Sequence, residues 1–200
     1  MNEKIEAQLR LDTVEQLFSI IPPETREQRV VPLTTLAIDF INSLVNSEHY
    51  NDAIRYLAIA LPRRAAIWWA CATHRSQNTE SINNQDEARA WELVEEWVYN
   101  PCEENRILTQ AIAEKLNYET AGSYGAIGVF WSGGSIVPAE TGQIVPPGSH
   151  LTGTAVAASI IISCSKGELG HLSARQKQAL EIGMDIAYGG NGLNKILAPT

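Results

Sequence analysis

The sequence feature that most constrains the fold is an unbroken apolar run, Ala65–Ala72, which contains the adjacent tryptophans Trp68 and Trp69. The run is too short to span a membrane, which takes roughly 20 apolar residues. It also lacks the alternation of polar and apolar residues that marks a half-buried strand. Pro62 comes just before it and suits the first turn of a helix, where its missing N–H is not needed. A helix that is apolar on all sides must be surrounded, so the run predicts the central helix of an all-α domain.

Helical spacing of apolar residues, at i, i+3 and i+4, continues through most of the chain. We therefore predict a single globular domain over residues 34–200, with about seven or eight helices around the buried helix Arg63–His74. We predict that residues 1–33 form a partly irregular N-terminal arm, docked on the body or on a partner. In the helix that follows Pro101, we expect Leu108 and Ala111 to face inward with Ile112 and Leu116.

Another helix is predicted over Thr120–Trp131, with three glycines spaced three residues apart, at positions 122, 125 and 128. Glycine in a helix interior costs about 1 kcal/mol relative to alanine. Such a stripe indicates that a bulky group or another backbone approaches closely. The helix is followed by Ser132–Ser149, a stretch rich in glycine, serine and proline, and loops of this length are often functional.

The charge balance limits the class of partner. The formal net charge is -8 and the chain has no basic run, so we expect neither nucleic-acid binding nor attraction to an anionic membrane. No apolar segment is long enough for membrane insertion. The first residues carry charges and no apolar signal-peptide core, and the three cysteines show no disulfide or metal pattern. These features predict a cytoplasmic protein.

Catalytic and metal-binding signatures are missing from the sequence. It contains no HExxH, GxSxG, Walker A or EF-hand pattern. His49 with Asp52, and His171 with Glu168, offer two ligands each, which falls short of a closed zinc site. Cys102 stands at a predicted helix start, but no histidine is placed beside it by sequence. We predict no catalytic residue, no metal and no cofactor.

Arg63 and Arg64 stand at the N-terminal end of the central helix, where the helix dipole disfavours positive charge. Something should compensate these charges. One interpretation is an ion pair or contacts with carbonyl groups of neighbouring helices, which suit the fork shape of guanidinium. The other is a site for an anion or an acidic peptide at the helix N-terminus.

Trp131, together with Ser132, Gly133, Gly134 and Ser135, forms the second candidate binding site. A rigid aromatic ring beside an adaptable polar loop is a common way to build a recognition site. The alternative is a helix end with a core tryptophan. Under the binding interpretation, replacing Gly133 and Gly134 by alanine should weaken binding with little change in melting temperature.

Three segments carry a resemblance: LPRRAAIWWA at Leu61–Ala70, WVYNPCEENR at Trp97–Arg106, and FWSGGS at Phe130–Ser135. Together they resemble a bacterial family of unknown function, whose members share LPRR…WWA and FWSGGS segments and a helical body. Some members are encoded near type VI secretion or related regulatory genes. The resemblance implies an accessory role and brings no activity with it.

Two functions remain open from the sequence. The first is a non-catalytic interaction or adaptor protein with a protein partner, associated with a bacterial secretion system. The second is an enzyme or a protein that binds a small molecule or anion in a pocket near Arg63, Arg64 and Trp131. A deep cleft with convergent polar groups would favour the second, and a shallow apolar surface would favour the first.

Overall fold

The computed structural model describes residues 6–26, 30–77, 84–138 and 141–193. These ranges contain nine α-helices and no β-strand beyond one antiparallel bridge between Thr13 and Leu36. The predicted all-α, single-domain fold is confirmed, and a short helix in the N-terminal segment adds to the expected number. The helices are α1 (Val14–Ile20), α2 (Ala37–Asn46), α3 (Tyr50–Ala60), α4 (Arg63–Gln77), α5 (Gln85–Tyr99), α6 (Glu103–Lys115), α7 (Ala121–Phe130), α8 (Leu151–Ser165) and α9 (Leu172–Ala187).

Two helices share the centre of the fold. The predicted central helix, α4, packs against α3, α5, α7, α8 and α9, while α8 packs against α3, α4, α7 and α9. Trp69 on α4 and Ile160 on α8 are both fully buried. Close packing of α8 on α3 depends on Gly153, because a Cβ there would lie 2.6 Å from the Cα of Ile59. None of the described helices is both long and apolar enough to cross a membrane.

The glycine stripe lets α7 approach two neighbours. Gly122 lies against the carboxylate of Glu87 on α5, and its backbone N–H donates to Glu87 Oε1 at 2.9 Å. Gly125 faces the Trp91 ring of the same helix, whereas Gly128 faces Ala155 on α8. The stripe therefore serves helix packing and fixes α7, whose C-terminal end leads directly into the candidate site.

The N-terminal segment docks on the body of the protein. Val14 and Leu17 of α1 are fully buried. Before α1, the backbone N–H groups of Gln8 and Arg10 donate to the carbonyls of Ala187 and Ala60, at 2.6 and 2.7 Å. The hydrophobic core thus includes residues of the segment predicted as an arm.

Helix α6 is rotated relative to the prediction. Leu108 is 53% exposed and Ala111 is also exposed, so the expectation that both face inward is wrong. Ile112 and Leu116 are buried as expected. The buried side of α6 instead includes polar residues: Asn105, Arg106 and Thr109. Arg106 can lie inside because its guanidinium finds hydrogen-bond acceptors there, as described next.

Candidate functional site

The loop between α7 and α8, residues 131–150, is held by arginine side chains from three other parts of the chain. Arg63 Nη1 donates to the carbonyl of Ser132 at 2.9 Å, near the beginning of the loop. Arg10 Nη2 donates to the carbonyls of Ile59 at 2.9 Å and of Ser149, near the end of the loop, at 3.4 Å. Burial, and then the neighbouring Arg63 guanidinium, lower the pKa of Arg10.

Arg106 makes the most extensive of these contacts. It is 4% exposed, and its Nη1 donates to the carbonyl of Phe130 at the end of α7. Its Nη2 donates to the carbonyl of Ser135 at 3.3 Å. Nε and Nη2 also donate to the two carboxylate oxygens of Glu103, at 2.7 and 2.6 Å. These hydrogen bonds hold the pKa of Glu103 below its usual value.

Ser135 joins the two arms of the loop. Its hydroxyl oxygen accepts hydrogen bonds from the backbone N–H groups of Val137 and Val145, both at 3.2 Å. The Ile136 N–H donates to the Val145 carbonyl at 2.9 Å. The loop is therefore anchored at Ser132, Ser135 and Ser149, although it contains no helix of more than a single turn in its described residues.

The structure does not bring all of the sequence-predicted site residues together. Ser132, Gly133, Gly134 and Ser135 lie together at the beginning of the loop, and Arg63 contacts them through Ser132. Trp131 ends α7 as its C-cap, and its partly buried side chain packs against the core.

Arg64 lies elsewhere. Its Nε donates to the carbonyl of Val98 at 2.7 Å, and it lines a shallow depression of about 440 Å³ beside Trp68. Neither Arg63 nor Trp131 lines that depression. The two arginines thus use carbonyl contacts on different neighbours, and they do not converge on one pocket with Trp131.

A groove of about 570 Å³ runs between α6 and the loop. We call it the α6–loop groove, and its lining residues are Glu103, Arg106, Ile107, Gln110, Phe130, Ser135, Val137, Pro138, Gly142, Gln143 and Ile144. Ile107 is 52% exposed and Ile144 is 86% exposed, so large apolar side chains face solvent here. The Glu103 carboxylate is paired with Arg106, so among the described lining residues no charge is unpaired.

Sequence reasoning missed the residues of this groove, apart from Ser135. Adjacent apolar residues Ile107 and Leu108, following polar Asn105 and Arg106, were the available signal. A helix with this pattern can bury its polar face only if that face finds partners, and a sequence without a structure does not show them. Within the described residues, no three or more metal-ligating side chains gather to hold a metal ion.

Gly134 and Gly133 should respond differently to alanine. Gly134 has φ of +61°, and a Cβ there would lie 2.5 Å from Arg106 Nη2. We expect Gly134→Ala to lower stability by about 1–2 kcal/mol from backbone strain alone, because a left-handed conformation disfavours a side chain. Gly133 has no neighbour within 4 Å of a Cβ, so Gly133→Ala is the matched control and should be neutral.

Thermal or urea unfolding of the two single variants checks this prediction. Equal melting of both variants would contradict the role given to Gly134. The sequence predicts little change in melting temperature when Gly133 and Gly134 are both replaced by alanine. The structure predicts this for Gly133 alone, because a Cβ at Gly134 would overlap the Arg106 side chain.

Comparison with models of known protein families gives a match. Residues 40–187 match the model of a family of unknown function, DUF6931. The matched region begins within α2 and ends at the last residue of α9, so it includes the α6–loop groove. Neither the search of curated proteins nor that of solved structures returned a significant match.

Proposed function

The chain belongs to the DUF6931 family of unknown function, and from that premise we propose that it is a non-catalytic interaction protein. The α6–loop groove takes an apolar segment of a partner protein. The observation that carries the proposal is the exposure of Ile107 and Ile144 in a groove whose described lining residues leave no charge unpaired. Contiguous exposed apolar surface marks interaction sites in soluble proteins.

The anchoring of the loop supports binding without a large rearrangement. Arg106 holds the carbonyls of Phe130 and Ser135, two residues that line the groove. A preorganised surface loses less conformational entropy when a partner docks, so more of the contact energy appears as affinity.

The alternative, a pocket for a small molecule or anion near Arg63, Arg64 and Trp131, has less support. A small-molecule site needs a concave pocket with a few convergent polar groups. Arg63 Nη1 and Arg64 Nε donate instead to the carbonyls of Ser132 and Val98. This separation favours the interaction role over the enzyme or anion-binding role.

The setting of the interaction is a finer part of the proposal. We place the protein in the bacterial cytoplasm, with a partner from a secretion assembly. Support for the secretion setting comes from the LPRRAAIWWA, WVYNPCEENR and FWSGGS segments. They resemble a bacterial family of which some members are encoded near type VI secretion genes. The identity of the captured partner, determined by mass spectrometry, tests it.

The groove is tested by two neighbouring substitutions. Ile107→Glu places a charge in the α6–loop groove, whereas Leu108→Glu places one at an equally exposed position that does not line it. We expect Ile107→Glu to weaken partner binding at least about tenfold, because a buried carboxylate without a partner costs more than 1.4 kcal/mol. Leu108→Glu should bind as wild type does.

Affinity capture from the native host, with all three tagged proteins, checks this prediction. A partner retained by wild type and Leu108→Glu but lost by Ile107→Glu supports the groove. Equal capture by the two variants would contradict it, provided that both melt within a few degrees of wild type. We expect both variants to fold, because both replaced residues are about half exposed.

A further inference from the structure

A second apolar groove, of about 390 Å³, lies between the N-terminal segment, the start of α2 and the end of α9. Its apolar lining includes Leu9, Leu36 and Tyr188. Leu36 is 51% exposed and Tyr188 is 39% exposed, so the floor is open to solvent. None of its lining residues belongs to the α6–loop groove.

Three carboxylates edge this groove: Glu6, Asp12 and Asp39. All three residues are exposed. Within the described residues, no Lys, Arg or His forms an ion pair with any of them, although carboxylates elsewhere, such as Glu95 with Arg75, are paired. We call this site the acidic groove. Arg10 is close in sequence, but its guanidinium is engaged with the carbonyls of Ile59 and Ser149.

The backbone of the N-terminal segment adds donors at the same place. Gln8 and Arg10 donate their N–H groups to carbonyls of the body. Ala7 and Leu9, which alternate with them, line the acidic groove, and their N–H groups donate to no described residue. These two N–H groups can therefore donate to carbonyls of an added peptide segment.

We propose that the acidic groove binds an extended basic peptide segment of a partner protein, in which Lys or Arg alternates with apolar residues. The apolar side chains would lie on Leu9, Leu36 and Tyr188, and the cations would meet Glu6, Asp12 and Asp39. Charge complementarity selects this partner, because the same carboxylates repel nucleic acid and anionic lipid surfaces. The inference concerns a surface separate from the α6–loop groove and stands independently of the proposed function.

A fluorescein-labelled peptide, Lys-Leu-Lys-Leu-Lys-Leu, is the probe, and fluorescence anisotropy at low ionic strength is the measurement. Two control peptides replace the lysines by glutamate or the leucines by serine. We expect binding of the Lys-Leu peptide alone, with an affinity that falls as salt is added, because exposed charges are screened. Hydrogen exchange at Ala7 and Leu9 should slow when the peptide is bound.

Two protein variants locate the binding. Glu6→Gln with Asp39→Asn removes two groove carboxylates, and we expect affinity to fall about three- to tenfold, as for the loss of two exposed ion pairs. Glu104→Gln is the control for the loss of a surface carboxylate outside the groove. Glu104 lies in the first turn of α6, as Asp39 lies in the first turn of α2, and it does not line the groove. The control should bind as wild type does.

Four results would overturn the proposal. They are the absence of peptide binding, equal binding of the Lys-Ser peptide, an equal loss in Glu104→Gln, and a wild-type dimer in sedimentation that the peptide dissociates. The second and third would mean attraction to the net negative charge alone. The fourth would mean that the groove is occupied by another copy of the chain. Melting curves of both variants confirm that each is folded.

Discussion

Replacing Trp69 by alanine is expected to destabilise the protein by about 3–5 kcal/mol, the range for truncating a buried tryptophan. Trp69 is fully buried, and its Nε1 donates to the carbonyl of Ala179 on α9 at 2.7 Å. Gly183 makes room for the ring, because a Cβ there would overlap it. The substitution therefore leaves a cavity between α4 and α9 as well as an acceptor without its donor. For a chain of this size we expect the melting temperature to fall by about 6–20 °C.

Trp68→Ala is the matched control for that variant. The Trp68 ring is only partly buried and packs edge-on to Tyr99, with ring centres 6.2 Å apart. Its Nε1 donates to the carbonyl of Asn191 at 2.9 Å, at an exposed position. We expect a loss of about 1–2 kcal/mol. Differential scanning calorimetry compares the two variants, and equal destabilisation would contradict the placement of Trp69 between α4 and α9.

The second large effect is expected from Arg106→Ala, at about 3 kcal/mol for the lost hydrogen bonds to the carbonyls of Phe130 and Ser135. The guanidinium also lies over the Phe130 ring, 4.8 Å from its centre. Without it, the beginning of the loop loses its contact with α6. We expect urea unfolding to show the lower stability and hydrogen exchange to rise in residues 131–138.

The variant Glu103→Gln distinguishes the stability contributed by the ion pair from that contributed by the hydrogen bonds of Arg106 to the loop carbonyls. The Glu103 side chain is 54% exposed, so its pairing with Arg106 is screened by solvent and should be worth less than about 1 kcal/mol. The pKa of Glu103 is lower in the folded state than in the unfolded state. The ion pair therefore stabilises the fold at a pH above the pKa of the unfolded state, and this stabilisation is lost as the pH falls through the pKa of the folded state. If Glu103→Gln cost as much as Arg106→Ala, the stabilising contact would be the ion pair rather than the loop carbonyls.

The helical architecture could be predicted from the sequence because apolar spacing reports which side of each helix is buried. The Ala65–Ala72 run correctly indicates a helix surrounded by others. Its two tryptophans donate to different acceptors, Trp68 to the carbonyl of Asn191 and Trp69 to that of Ala179. The glycines of α7 correctly indicated close approach. The run of isoleucines in α8, which also suits a strand, forms a helix because it is buried against α3, α4 and α7.

The candidate groove could not be predicted, because it depends on tertiary partners. On α6 the periodic apolar residues suggested that Leu108 faces inward, yet the buried position belongs to Arg106. A buried guanidinium is stable only where acceptors surround it. Those acceptors are the carbonyls of Phe130 and Ser135, which are 24 and 29 residues further along the chain. A local sequence pattern does not predict a contact at that separation.

The candidate loop residues are held more firmly in the structure than their composition suggests. The sequence predicts that Gly133, Gly134 and the flanking serines form an adaptable segment beside Trp131. In the structure Ser132 and Ser135 anchor the loop through their carbonyls, and Gly134 adopts a left-handed conformation under the Arg106 guanidinium. Polar loop composition alone does not distinguish a mobile loop from an anchored one.

Photo-crosslinking in the native host tests the interaction role of the α6–loop groove most directly. A benzoylphenylalanine replaces Gln110, which lines the groove, and in a second protein it replaces Glu92, an exposed residue on α5. We predict a protein adduct from position 110 and none from position 92, with the adduct lost in Ile107→Glu and kept in Leu108→Glu. No adduct from position 110, or an adduct that Ile107→Glu leaves unchanged, would contradict the proposal that a partner docks in this groove.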